Sequence, residues 1–314
     1  MFRIIGPRLA TMAVRRGGAV HSPLISTSKV SSTGPIIRTI VKVTKNTDAL
    51  KVNNLKTLNE DVLRLHAQGN FTQASYAADY AIQKCREAFG NDHVSLAAAY
   101  ANRGFIAKEM GDFDDAVELY EEALKIYDKQ ENTVHGKTIV LQNLGNVLRS
   151  LSNTQKDEKK KMEMRYRAKT VLEDAVKAIK DSEGPTSVKY ASAVQKLANL
   201  SKDLKNLDQA ESSLREAMAV AEKADPQSRV LFSIKNDLGL VLKLKGNAFD
   251  EARQLYESAV EYALARFGKE HKETIIYRHN LAELLDSQEE TKQEANKIRL
   301  NILMTDVKKD GSPK

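Results

Sequence analysis

Tryptophan is absent from this chain of 314 residues, cysteine occurs once, and glycine (15) and proline (6) are scarce. So few helix breakers in so long a chain predict a mostly helical protein. The lone Cys85 excludes an internal disulfide and any cysteine-based zinc site, and its expected place is as a small apolar filler in a helix. No apolar run reaches the roughly 18 residues that a transmembrane helix needs. The motifs HExxH and CxxC and a nucleophile elbow are missing too, and the glycines of "RRGGA" (15–19) follow no strand that would make them a phosphate loop. The six histidines, at 21, 66, 93, 135, 271 and 279, include no pair four residues apart on a helix, the spacing of a helical metal site. The chain therefore reads as a non-enzyme with no cofactor and no metal. His93 and His271 fall in equivalent loops, where packing or loop hydrogen bonds are their expected task.

Acid is missing from one end only. Residues 1–47 hold eight bases (Arg3, Arg8, Arg15, Arg16, Lys29, Arg38, Lys42 and Lys45), and the first acid is Asp48. Of the 49 bases and 42 acids in the chain, 41 and 42 remain for residues 48–314. The net charge of +7 thus belongs to the leader, and the body is close to neutral. An Arg-bearing, acid-free, Ser/Thr-rich leader such as "SPLISTSKVSSTG" has the composition of a mitochondrial transit peptide. Residues 1–47 are accordingly expected to be a disordered targeting leader. The expected address is the mitochondrial matrix or an inner-membrane-associated site, with a chloroplast as the alternative. Residues 305–314 are expected to be a disordered tail, leaving 48–304 for the fold.

What the body does have is a repeat. Pairs of alanines seven residues apart stand at Ala74/Ala81, Ala116/Ala123, Ala168/Ala175, Ala210/Ala217 and Ala252/Ala259, and Ala295 opens a sixth copy. The first alanines are 42, 52, 42, 42 and 43 residues apart. Seven residues is close to two helical turns, so each pair lies on one helix face, and fixed periods of this size mark a solenoid. Upstream of each pair stands one further position, held by Val62, Gly104, Gly145, Ala198, Gly239 and Ala282. Between it and the alanines come turn sequences such as "AQGNF" (67–71), "EMGDF" (109–113) and "LKGNAF" (244–249). Each unit is therefore a first helix, a tight turn and a second helix, with small residues where the two helices approach. The third unit is longer by about ten residues. Its insert, "SNTQKDEKKKMEMRYR" (152–167), predicts either longer helices or a protruding charged loop.

The second unit, "AAAYANRGFIAKEMGDFDDAVELYEEALKIY", closely resembles the tetratricopeptide repeat in its small, aromatic and turn positions. The loops "FGNDH" (89–93) and "FGKEH" (267–271) resemble the inter-repeat links of the 42-residue repeats in kinesin light chains. The resemblance covers roughly residues 55–304. It implies an all-α, right-handed superhelical solenoid of about six helix-turn-helix units, and a protein-binding role for the groove lined by the first helices.

Counting from the small residue of each first helix picks out the side chains expected in that groove. An amide band comprises Asn59, Asn102, Gln142, Asn143, Asn146, Gln195, Asn199, Asn236 and Asn280. Asparagine is a poor mid-helix residue, because its side chain competes with backbone hydrogen bonds, so its recurrence on one face suggests use. Carboxamides offer donors and acceptors to the backbone of an extended peptide, and the band resembles the asparagine ladder of kinesin light chain grooves. Four residues after the small position stand Lys108, Arg149, Lys202 and Lys243 in consecutive units. Two readings of this row remain open. Cations suit the C-terminal end of a helix dipole, and a positive rail would attract an acidic partner segment. The carboxylate clamp of chaperone-binding members is incomplete here. The function expected is a non-enzymatic interaction scaffold or assembly factor in mitochondria, holding an extended or acidic segment of another protein. The alternative is a mitochondrial ribonucleoprotein component, for which the basic insert and the cation row speak.

Overall fold

The computed structural model describes residues 49–310, with side chains from 57 to 303. The expected leader lies outside the described residues. Among the described residues the chain forms twelve α-helices and one short 3-10 turn, and no strand. They pair into six units: α1 (Ala49–Ala67) with α2 (Phe71–Phe89), α3 (Val94–Met110) with α4 (Phe113–Tyr127), and α5 (Val134–Thr154) with α6 (Glu158–Glu183). The remaining three are α7 (Val188–Asp203) with α8 (Leu207–Ala224), α9 (Arg229–Lys245) with α10 (Phe249–Phe267), and α11 (Lys272–Leu285) with α12 (Lys292–Asp310).

The helix starts follow from capping chemistry. Ser187, Ser228 and Asp157 each accept a hydrogen bond from a backbone N–H in the first turn of the helix that follows. His93 and His271 do the same through Nδ1, which accepts from Ser95 N–H and Glu273 N–H at 3.2 and 3.3 Å. Their rings stack on Phe89 and Phe267 in the same two loops. The loop hydrogen bonds expected of these histidines are thus helix caps.

Every alanine of the repeat is buried, from Ala74 to Ala295. In units two, three and five one large side chain between the two alanines projects onto the glycine of the first helix. Tyr120 lies over Gly104, Leu172 over Gly145 and Tyr256 over Gly239. The alanines let the two backbones approach, and the ring or Leu side chain fills the seam between them. Cys85 is buried in this core, and burial pushes its thiol up to about 12, far from reactive thiolate chemistry.

Of the two outcomes expected for the insert, the structure shows longer helices: α5 and α6 extend to 21 and 26 residues, separated by only three residues. No glycine or proline interrupts "EKKKMEMRYR", so helix is its cheapest state. The last helix runs to Asp310, past the expected end at 304, because the first breakers are Gly311 and Pro313.

Candidate interaction face on the first helices

Each first helix touches its own second helix and also the first helix of the next unit: α3 meets α5, α5 meets α7, α7 meets α9, and α9 meets α11. Second helices of successive units make no comparable contact. Closer packing within one layer puts that layer on the inside of the curve, so the first helices line the concave side.

The structure sorts the amide band into two kinds. In units one and two, Asn102 Nδ2 donates to Asn59 Oδ1 at 3.1 Å, and both residues are buried. This pair fastens α3 to α1. In the last three units a longer chain of bonds does the same work. Gln195 Nε2 donates to Ser233 Oγ and Asp237 Oδ2, both at 2.7 Å, and Asn199 Nδ2 donates to Asp237 Oδ2 at 2.6 Å. Asn236 Nδ2 reaches Asp237 Oδ1 at 3.4 Å, and Asn280 Nδ2 donates to Asn236 Oδ1 at 2.9 Å. These amides join α7, α9 and α11 across a separation of about one repeat. A buried amide must be paired or it costs stability, and here the neighbouring repeat supplies the partner.

Unit three is different. Gln142, Asn143 and Asn146 are half-buried on α5, and their side chains make no hydrogen bond among the described residues. Facing them in sequence register on α7, the Oδ1 of Asn199 is buried without a partner. One turn earlier on α7, Lys196 holds its ammonium against Ser192 alone, through Oγ at 2.8 Å and the carbonyl at 3.3 Å. With no carboxylate beside it, burial holds this lysine down to about 8.

The cation row is also divided. Lys108 pairs with Glu109 at 2.8 Å and lies over the Phe105 ring. Arg149 pairs with Asp203, and Lys243 with Glu283 of the next unit. Lys202 has neither a hydrogen bond nor an ion pair, and burial lowers its pKa, with Asp237 and Arg149 acting in opposite directions. The rail is therefore neutralised at three of its four positions by acids of the same chain. Of these, Glu283 occupies a known register position of the following unit, so its pairing was readable from the alignment of repeats. Asp203 and Glu109 depend on side-chain reach. Lys196 stands two before Ala198, at the amide position of unit four, and its missing acid partner appears only in the fold.

Among the described residues no group of three or more His, Cys, Asp and Glu side chains is placed to hold a metal, and no helix is long and apolar enough to cross a membrane.

Tetratricopeptide repeat models match residues 64–129 and 230–296, and a second such model matches 191–223. The matched ranges together span more than half of the chain. The chain is a tetratricopeptide repeat protein. The long third unit lies between the matched ranges. A kinesin light chain-related protein of Arabidopsis thaliana is 22% identical over 172 residues, which are 54% of this chain and 24% of the plant protein. The chain thus spans about a quarter of that relative. Among solved structures, BtubC of P. vanneervenii aligns with a TM-score of 0.52 at 17% identity, covering 85% of this chain and 95% of that one. A thermophilic tetratricopeptide protein of Thermus thermophilus aligns at 0.54 and 18%, covering 72% and 98%. A Rap protein complexed with competence and sporulation factor aligns at 0.62 and 12%, covering 87% and 70%. At these identities the likeness is one of fold. That fold is a type that acts as a non-catalytic scaffold.

Proposed function

We propose that this protein is a mitochondrial interaction scaffold or assembly factor that holds a segment of another protein against the first helices of units three and four. The observation that carries the reading is the set of unspent hydrogen-bonding groups there: Gln142, Asn143 and Asn146 without partners, the buried Asn199 Oδ1, and Lys196 without an acid. A half-buried amide that binds nothing in its own chain is costly unless water or a ligand completes it. Elsewhere along the same face those groups are consumed by the neighbouring repeat, so the free set marks where an extended peptide backbone would be recognised. The leader composition supports the matrix or an inner-membrane-associated address.

A photo-crosslinking amino acid at position 143 or 146, in isolated mitochondria, tests the reading. It should give discrete protein adducts, whereas the same group at Leu264, exposed on α10, should give none. Absence of adducts from both groove positions would sink it. A reporter fused to residues 1–47 and imported, or not, by mitochondria tests the address separately.

The alternative is a ribonucleoprotein component. It is favoured by Lys156, Lys159 and Lys160, which are exposed around the start of α6 and form no ion pair among the described residues, with exposed Tyr166 two turns further on. Filter binding to RNA with a steep salt dependence, lost on neutralising those lysines, is its signature.

A further inference from the structure

The lengthened third unit helps to build a charged cleft. The first two turns of α6 face the C-terminal end of α7 and the last turn of α9 across a cavity of about 550 Å³. Four cations line it: Lys161 and Arg165 from the insert, Lys202 from α7, and Lys205 from the following turn. Glu158 and Asp203 are its acids, and Met162, Leu204 and Leu244 form an apolar wall.

Within the chain Lys161 pairs with Glu158 at 2.8 Å and Asp203 with Arg149, and three features of this cleft go beyond those pairs. First, cations are placed against the local helix field. A lysine or arginine early in a helix meets the positive end of the dipole, yet α6 begins "EKKKMEMR". Second, donors are left over. Arg165 gives Nη1 to the Asp203 carbonyl at 2.8 Å and Nη2 to Asn153 Oδ1 at 3.2 Å, but its Nε is buried without a partner. The Lys202 and Lys205 ammonium groups form no hydrogen bond or ion pair, and Lys202 feels Asp237 and Asp203 only through space. Third, Lys205 has φ of 65°, while the equivalent turns carry Gly69, Gly111 and Gly246 at φ of 73°, 87° and 72°. A side chain in that region costs about 1 kcal/mol over glycine, and in this unit it places an ammonium at the cleft.

We propose that the cleft receives an acidic side chain of a partner protein, from a segment that carries an apolar residue beside its carboxylates. The excess of two positive charges matches one or two carboxylates, and Met162, Leu204 and Leu244 accept the apolar neighbour. No aromatic ring lines the cavity to stack a base, so nucleic acid fits it less well. The inference rests on the scaffold reading only for the class of ligand, since the cleft lies between the insert and the C-terminal ends of α7 and α9, whereas the free amides are Gln142, Asn143 and Asn146 on α5.

Lysine footprinting of the full chain tests it. Acylation of each lysine is quantified by mass spectrometry with a peptide of repeating Glu-Glu-Leu, its Gln-Gln-Leu counterpart, or poly(U). The Glu peptide should protect Lys202 and Lys205 about fivefold, while Lys129, exposed elsewhere, is labelled as before. Arg165→Gln should weaken the protection about tenfold, as loss of a charge-assisted bond does. Should that variant melt early, Lys205→Gln replaces it, being on the surface, and is read by the labelling of Lys202. Equal labelling with and without peptide, equal protection by the Gln peptide, or stronger protection by poly(U) would overturn the proposal. Loss of the footprint with crosslinks from position 143 intact removes the cleft and leaves the scaffold. A footprint without those crosslinks does the reverse.

Discussion

Units two and five solve one packing problem with the same residues, and unit three solves it differently. In the first two, a tyrosine lies flat against a glycine: Gly104 under Tyr120 and Gly239 under Tyr256. In unit three the branched Leu172 replaces the ring and presses closer to Gly145. Units two and five also tie their amides to a neighbour, whereas unit three leaves Gln142, Asn143 and Asn146 untied. The unit that departs from the repeating seam thus also keeps its inner face available. Stability and availability compete for the same side chains, and the regular units spend theirs on stability.

The sharpest way to break this comparison is at the glycines. A Cβ at Gly145 would stand 2.5 Å from both Leu172 Cγ and Cδ2, a distance that something must yield to. At Gly104 the nearest atom is Tyr120 Cε1, at 3.1 Å. Gly145→Ala should therefore destabilise by about 1–3 kcal/mol through overpacking. Gly104→Ala should cost less than about 1 kcal/mol, because the gain in helix propensity offsets milder crowding. Urea unfolding read with hydrogen exchange in each unit measures both, and equal losses at the two sites would erase the distinction between the seams.

The amides give the next effect. Asn102→Ala leaves Asn59 Oδ1 buried without its donor, so a loss of about 1–3 kcal/mol is expected. Asn143→Ala removes no internal bond and should stay within about 0.5 kcal/mol in stability while abolishing crosslinks from this face. A stable Asn102→Ala, or an unstable Asn143→Ala, would show that the division between tied and free amides is false.

Most of the architecture was legible in the sequence because it is steric. Ala116, Ala123 and Gly104 must be small for α3 and α4 to approach, and a requirement repeated at a fixed period leaves a readable trace. Which amides are free was not legible. Asn143 and Asn102 hold the same position in their units, yet one has Asn59 opposite and the other has no partner. Only the juxtaposition of residues one repeat apart, with their side-chain angles, separates them. The cation row misled for a related reason. Glu283 stands in register with Lys243, but Lys108 and Arg149 meet Glu109 and Asp203 only through side-chain reach. The insert left loop and helix open because charge pattern alone does not choose between them, whereas its lack of breakers does.

A smaller effect follows from the histidine caps. His93 accepts from Ser95 N–H through Nδ1, and burial lowers its pKa from the ordinary value of 6.5. His66, packed on Phe71 and Phe105, is lowered by burial too, with Glu109 acting the other way. A group whose folded pKa is depressed stabilises fully above its unfolded value and less as pH falls through its folded one. Stability of the first two units should thus be flat above about pH 6.5 and fall below it, by about 1 kcal/mol for the lost cap. His93→Asn, which keeps an acceptor that does not titrate, should shallow this decline. A melting temperature as steep in pH for the variant as for the parent would remove His93 from the account.

The smallest effect returns to the tyrosine seam shared by units two and five. The hydroxyls of Tyr120 and Tyr256 are both buried and without a hydrogen-bond partner, and burial raises both pKa values. A buried hydroxyl that bonds to nothing has lost its water without compensation. Tyr256→Phe keeps the ring against Gly239 and deletes the stranded oxygen. It should be neutral or stabilising by up to about 1 kcal/mol, opposite in sign to the usual effect of a core substitution. Leu172 in unit three carries no such oxygen, so the same seam can be filled without one. If Tyr256→Phe instead destabilises, the hydroxyl is held by a bound water at the seam, and the neighbouring Asp237 and Glu283, whose charges act on it, become the groups to test next.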